Sequence, residues 1–283
     1  MPTVHFDQFS QEDITAFQPA LKVGILATVN PEGLPHLTFI STLMASDPKT
    51  VVWGQFVEGS SKEYIRQNPK TAFLIMTLDK NTWRGKATFT HTQTSGKDYD
   101  FYNNVPMFRY NAYFGVHTVY YMDLVEHNGK QPLPMPAIVF SSVATLLAKI
   151  LSPGREEKQA LNPWTKSFIS KIGIPKFLAY IGSDGYPVII PVFQATAPTR
   201  DHVIFTTSAY KDELKTIPKG IVVAILGLSL EMEVVLLRGI YQGISSKAGF
   251  PCGTVQINWV YNPMPPKPMQ IYPETDIQAV LSF

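Results

Sequence analysis

The segment from Gly54 to Lys70, GQFVEGSSKEYIRQNPK, puts two hydroxyls and an ammonium, those of Ser60, Ser61 and Lys62, at the start of a short helical pattern closed by Asn-Pro. Hydroxyls donate hydrogen bonds and an ammonium adds charge. A helix N-terminus contributes unpaired amides and the positive end of its dipole, so the combination suits an anion such as a phosphate. Gly54 and Gly59 flank the segment, and glycine lets a ligand approach the backbone closely. The strand-like run before it supplies Trp53 and Gln55, one aromatic face and one amide for whatever carries the phosphate. The same letters also have a purely structural reading. Ser60 and Glu63 stand in the S-x-x-E relation of a capping box. A second hydroxyl and a cation exceed what one cap needs.

The elements that must position these groups occur twice. ILATVNPEGLPHLTFI, Ile25 to Ile40, aligns with FLAYIGSDGYPVIIPV, Phe177 to Val192, through Leu26 and Leu178, Ala27 and Ala179, Gly33 and Gly185, and Pro35 and Pro187, all at a shift of 152. The same shift pairs Ser10 with Asn162 and Trp53 with Phe205; Lys62 and Lys211 follow at 149, and Arg84 and Arg238 at 154. Small changes of shift at loops are what duplicated domains accumulate. Each copy predicts a helix, then a strand, a turn and two further strands. A short helix and three more strands close it. In the first copy the opening helix carries Ile14, Phe17 and Leu21 on one face behind a Ser10 cap. Antiparallel strands joined by short hairpins suggest a small barrel, which removes sheet edges by closing. The division expected is a first barrel over residues 1–128, a helical linker over 129–161 and a second barrel over 162–283.

LATVNPEGLPH, the strand VVWGQF, GSSKEYIRQNPKTAFLIM and WRGKA come in an order that resembles the FMN-binding split-barrel proteins of the pyridoxamine 5′-phosphate oxidase-like superfamily, over about residues 20 to 95. The resemblance implies a mostly β fold with flanking helices (α+β), two tandem split β-barrels in one chain. It implies FMN as cofactor, with Ser60, Ser61 and Lys62 on the phosphate and Thr38, Ile40, Trp53, Gly54 and Gln55 along the ring. Arg84 either faces the phosphate or is a strand arginine in a surface pair. The second copy reads TTSAYKDELKTIPKG at the matching place. It keeps Lys211 but has Ala209 and Tyr210 for the serines, with Thr206, Thr207 and Ser208 as weaker substitutes, so a degenerate or absent site is expected there. Split barrels build their sites from two protomers; the fused pair implies a pseudo-dimer within one chain, with a homodimer as a further form.

NNVPMFRYNAYFGVHTVYYM, Asn103 to Met122, is dense in aromatics. It reads either as a core strand behind an interface loop, or as Arg109, Tyr110 and Asn111 covering a flavin face or binding an anionic substrate. His117 reads as structural, and Asp98 and Asp100 as acids opening a helical turn. Six histidines without metal spacing and a single cysteine, Cys252, in the turn-like GFPCG, give no metal site. There is no G-x-S-x-G, Walker A or G-x-G-x-x-G motif. A net charge of +2 with scattered cations argues against nucleic acid and an anionic membrane. The apolar Met135 to Leu151 run is short for a bilayer span, and reads as a helix packed on a barrel. One cysteine fits a reducing, cytoplasmic setting. The functional expectation is an FMN-dependent oxidoreductase acting on a small molecule, with no catalytic residue assigned. The alternative is a flavin- or haem-binding module without turnover.

Overall fold

The structure, a computed structural model, describes residues 5–56, 59–106, 115–152, 154–229, 231, 233–264 and 268–276. Arg109, Tyr110 and Asn111 lie outside the described residues. The chain divides into two compact units, Met1–Leu133 with Ile181–Ile189, and Pro134–Tyr180 with Ile190–Phe283.

Unit 1 opens with helix α1 (Gln11–Phe17), capped by Ser10, whose hydroxyl accepts from the Asp13 amide while Asp13 answers to the Ser10 amide. Ile14 and Phe17 are buried. Leu21, placed on the same face by spacing, is 59% exposed. The helix stops before Pro19, whose ring would clash with the preceding turn. Strands β1 (Val23–Val29), β2 (Pro35–Phe39), β3 (Met44–Asp47), β4 (Thr50–Gln55), β5 (Lys70–Met76), β6 (Asn81–Gln93) and β7 (Thr118–His127) form one sheet ordered β2-β1-β5-β6-β7-β4-β3, with β8 (Gln131–Pro132) on β6. Neighbouring strands are antiparallel throughout. Helix α2 (Ser60–Gln67) joins β4 to β5, and α3 (Lys97–Asn104) lies between β6 and β7. One core gathers Phe17, Leu26, Phe73, Trp83, Tyr102 and Tyr120, among others.

The second half repeats this plan. Helices α4 (Met135–Leu151) and α5 (Pro163–Ser170) precede β9 (Lys176–Ile181), β10 (Pro187–Pro191) and β11 (His202–Thr206). Then come α6 (Lys211–Lys215), β12 (Val222–Leu228), β13 (Val234–Lys247), β14 (Phe250–Asn262) and β15 (Met269–Tyr272). The sheet order is β10-β9-β12-β13-β14-β11, with β15 on β14. Replacing each strand by its partner in the repeat turns this order into β2-β1-β5-β6-β7-β4, so the two mostly antiparallel sheets share one topology. Asn162 caps α5 by accepting from the Thr165 amide, as its match Ser10 caps α1.

Two differences between the halves matter for sites. Where unit 1 inserts α3, β13 and β14 meet in a tight turn at Ala248 and Gly249, both with positive φ, as a two-residue hairpin requires. GFPCG therefore gives only Gly249 to the turn, and its other four residues open β14. Cys252 lies in β14 opposite Thr206 and Ser245, fully buried with Ala148 and Ile204. Helix α4 packs on β11 and β14, and its other face leaves Val139, Phe140, Val143, Leu146, Leu147, Ile150 and Leu151 exposed. Among the described residues no helix is long and apolar enough to cross a membrane.

Candidate functional site

Helix α2 begins without a side-chain cap. Its N-cap is Gly59, extended at φ −172°, and Ser60 is already helical. The capping-box reading of Ser60 and Glu63 therefore fails: a hydroxyl on the first helical residue cannot do what an N-cap hydroxyl does for the amide three residues on. Ile65 is fully buried, and the helix ends at Asn68, before Pro69. Ser61 and Lys62 in the first turn are also buried, 4% and 7% exposed. The helix packs on β1 and β2. Thr38 Oγ1 of β2 and Ser61 Oγ lie 2.5 Å apart in a hydrogen bond, and the His36 and Tyr64 rings meet edge to face at 5.2 Å. The structure thus brings Thr38, Ser60, Ser61 and Lys62 together at one helix start. Ile40, just past β2, is almost buried, with its amide on the Gly24 carbonyl at 2.7 Å.

Strand β4 stands near the opposite end of the sheet order from β2, yet the segment that follows β2 meets it. Thr42, three residues past β2, donates its hydroxyl to the Gly54 carbonyl at 2.8 Å and accepts the Gly54 amide at 3.1 Å. This closes the curl of the sheet, and Tyr102 OH from α3 adds a bond to the Thr42 carbonyl at 2.7 Å. Gly54 has a structural use here. A Cβ at that position would lie 2.8 Å from a Val116 methyl, so the space its missing side chain frees is filled by Val116. Trp53 is 3% exposed and stacked on Tyr120, with centroids 4.0 Å apart and planes at 6°. Its near face is taken by that ring, while its Nε1 is buried with no partner among the described residues. Gln55 is half-buried and accepts from Tyr120 OH at 3.1 Å.

Arg84 lies on β6. The register Phe39, Ile25, Leu74, Arg84 across β2, β1, β5 and β6 puts it three strands from β2, and it donates to the Ile189 carbonyl at 3.1 Å. His117 contacts the neighbouring Thr118 hydroxyl at 2.8 Å. Asp98, the second residue of α3, does more than serve a helix dipole. Buried, it accepts from Ser46 Oγ at 2.8 Å and Tyr121 OH at 3.0 Å, docking α3 onto β3 and β7. Burial and this carboxylate push the Tyr121 phenol well above its usual range. Among the described residues no group of three His, Cys, Asp or Glu could hold a metal.

In the second repeat the Thr206 hydroxyl is occupied. Thr206 Oγ1 bonds the Ser141 carbonyl at 2.9 Å and the Thr145 hydroxyl at 2.9 Å, and the Ser141 hydroxyl accepts the Ala209 amide at 2.9 Å, so α4 takes up this corner. Tyr210 caps α6 in a left-handed conformation, and that helix is only five residues long. The Thr42–Gly54 closure does recur: Gln194 Nε2 donates to the Thr206 carbonyl at 2.8 Å, both residues displaced by 152 from their counterparts. Thr42 and Gln194 were legible only as a polar pair at that shift.

No family model matches the sequence, and no curated protein does. Solved structures do. HupZ of Group A Streptococcus is 17% identical, over 44% of this chain and 98% of that one, with a TM-score of 0.36. An FMN-binding protein from Syntrophomonas wolfei is 14% identical over 41% and 82%, TM-score 0.36. An F420 reductase is 16% identical over 42% and 98%, TM-score 0.33. Each spans less than half of this chain. The chemistry of this chain is read from its own residues.

Proposed function

We propose that unit 1 binds FMN, with its 5′-phosphate at the start of α2. The observation that carries this reading is the pair of buried residues Ser61 and Lys62 in a first turn that has no side-chain cap, tied to β2 through Thr38. Ser10 and Asn162 give α1 and α5 side-chain caps, whereas α2 has none. Here the N-cap is glycine, and an ammonium is buried beside two hydroxyls, the donor set a phosphate dianion needs. Lys62 would hold the phosphate by a charge-assisted contact, with Ser60 and Ser61 donating. Thr38, Ile40 and Gln55 would border the ring, and Trp53, locked on Tyr120, would shape the wall behind them. Bound FMN supplies one- and two-electron transfer, while the protein positions and tunes it. An oxidoreductase acting on a small molecule in a reducing, cytoplasmic setting is the activity this cofactor favours.

The absorption spectrum of the purified protein, before and after adding FMN, tests this directly. The expected result is twin flavin bands in the near-ultraviolet and blue that persist through gel filtration. A single Soret band, or FMN that elutes entirely apart from the protein, would contradict it.

A further inference from the structure

Unit 2 carries a cleft of about 640 Å³. Its floor is one face of three adjacent strands. His202 and Ile204 of β11 stand opposite Gln256 and Thr254 of β14, and Gln242 of β13 extends the row. Its rim carries three cations from three places: Arg155 beyond α4, Lys219 before β12, and Lys247 at the end of β13. Among the described residues Glu157 is the one carboxylate lining it.

The walls are held in place. Asp201, fully buried, accepts the amides of Glu157 and Lys158 at 2.8 and 3.0 Å, pinning the segment that bears Arg155. The β13–β14 register breaks between Tyr241 and Ile244. At that irregularity Gly243 has φ +86°, and the Lys219 stem lies against it, 3.4 Å from where a Cβ would stand. Bulges of this kind re-aim side chains at sites. On the floor, Thr254 is 7% exposed, and its buried hydroxyl has no hydrogen-bond partner among the described residues. A native fold rarely leaves such a group unsatisfied without a use for it.

We propose that this cleft is a second ligand site, for a small phosphorylated molecule. A volume of this size suits a sugar phosphate or mononucleotide. Three cations around hydroxyls, amides and an imidazole recognise a phosphate on a polar body rather than an apolar ligand. The reading is independent of FMN in unit 1.

Ribose 5-phosphate, ribose and inorganic phosphate, titrated calorimetrically into the full chain at low salt, test it. Ribose 5-phosphate binds, ribose does not, and Lys219→Met with Lys247→Met weakens the phosphate-bearing probe by roughly tenfold or more. Thr254→Val also weakens it, while the melting temperature without ligand does not fall, because the change removes an unsatisfied buried hydroxyl. FMN affinity stays the same in all variants. Failure of ribose 5-phosphate to bind at millimolar concentration, or equal affinity in wild type and the double lysine variant, would overturn the proposal.

Discussion

At the scale of single residues, two glycines flanking the same segment do different jobs. The sequence offered both as places for a ligand to approach. Gly54 instead makes room for Val116 and for the Thr42 bonds that close the sheet. Gly54→Ala would force a Cβ to within 2.8 Å of a branched, buried side chain. Overpacking of this kind costs about 1–3 kcal/mol, to be read as a lower denaturation midpoint with an unchanged slope. A neutral result would mean that Val116 does not close the space. Gly59 is the opposite case. It is extended, and a Cβ there would meet nothing within 4 Å. The type of residue was legible at both positions. Its use was not, because Val116 is 62 positions away from Gly54 and nothing local announces it.

At the scale of elements, the sequence was most legible where local signals and burial agree. Ser10 and Asn162 mark helix starts through caps that need only neighbours. Strand β5 coincides with the run KTAFLIM, whose apolar and β-branched residues fit a pleated, buried surface. The α1 face was overextended to Leu21 because spacing alone cannot register Pro19. The cleft of unit 2 was not legible at all, since its cations come from segments 155, 219 and 247 that only the fold assembles. Helix α2 yields a prediction that separates a structural start from a phosphate seat. Gly59→Asp supplies the missing cap and a negative charge at the dipole's positive end, so the protein without ligand gains about 0.5–1 kcal/mol. The same carboxylate repels a phosphate, and FMN affinity falls. Melts and titrations on one preparation read both; stabilisation with undiminished FMN binding would place the phosphate elsewhere.

At the scale of the whole molecule, two buried lysines govern the response to alkali. Burial lowers Lys22 in unit 1 and Lys176 in unit 2 from 10.5 to about 8. Lys22 donates to the Pro19 carbonyl at 2.8 Å, and Lys176 to those of Lys171 and Phe193 at 2.9 and 3.2 Å. Below about pH 8 both are charged whether folded or not, and burying that charge costs stability. Between about pH 8 and 10 the folded lysines are neutral while the unfolded ones keep their protons. The unfolded state then binds more protons, and stability rises with pH. Above about pH 10 the buried phenols of Tyr102, Tyr121 and Tyr241, all raised by burial, reverse the slope, because unfolding lets them ionise. Urea midpoints should therefore climb from about pH 7 to pH 9.5, and Lys176→Met should flatten the climb; a midpoint that falls over this window would contradict the assignment. The central claim, a flavin phosphate at the start of α2, is tested most directly by titrating FMN and riboflavin into wild type and Lys62→Met, a change that keeps the buried volume and removes the charge. A hydrogen bond to a charged group contributes roughly 1.5–3 kcal/mol, so FMN should weaken by about 10–100-fold while riboflavin, which lacks the phosphate, binds weakly and equally to both. Equal FMN affinity in the two proteins would contradict the account.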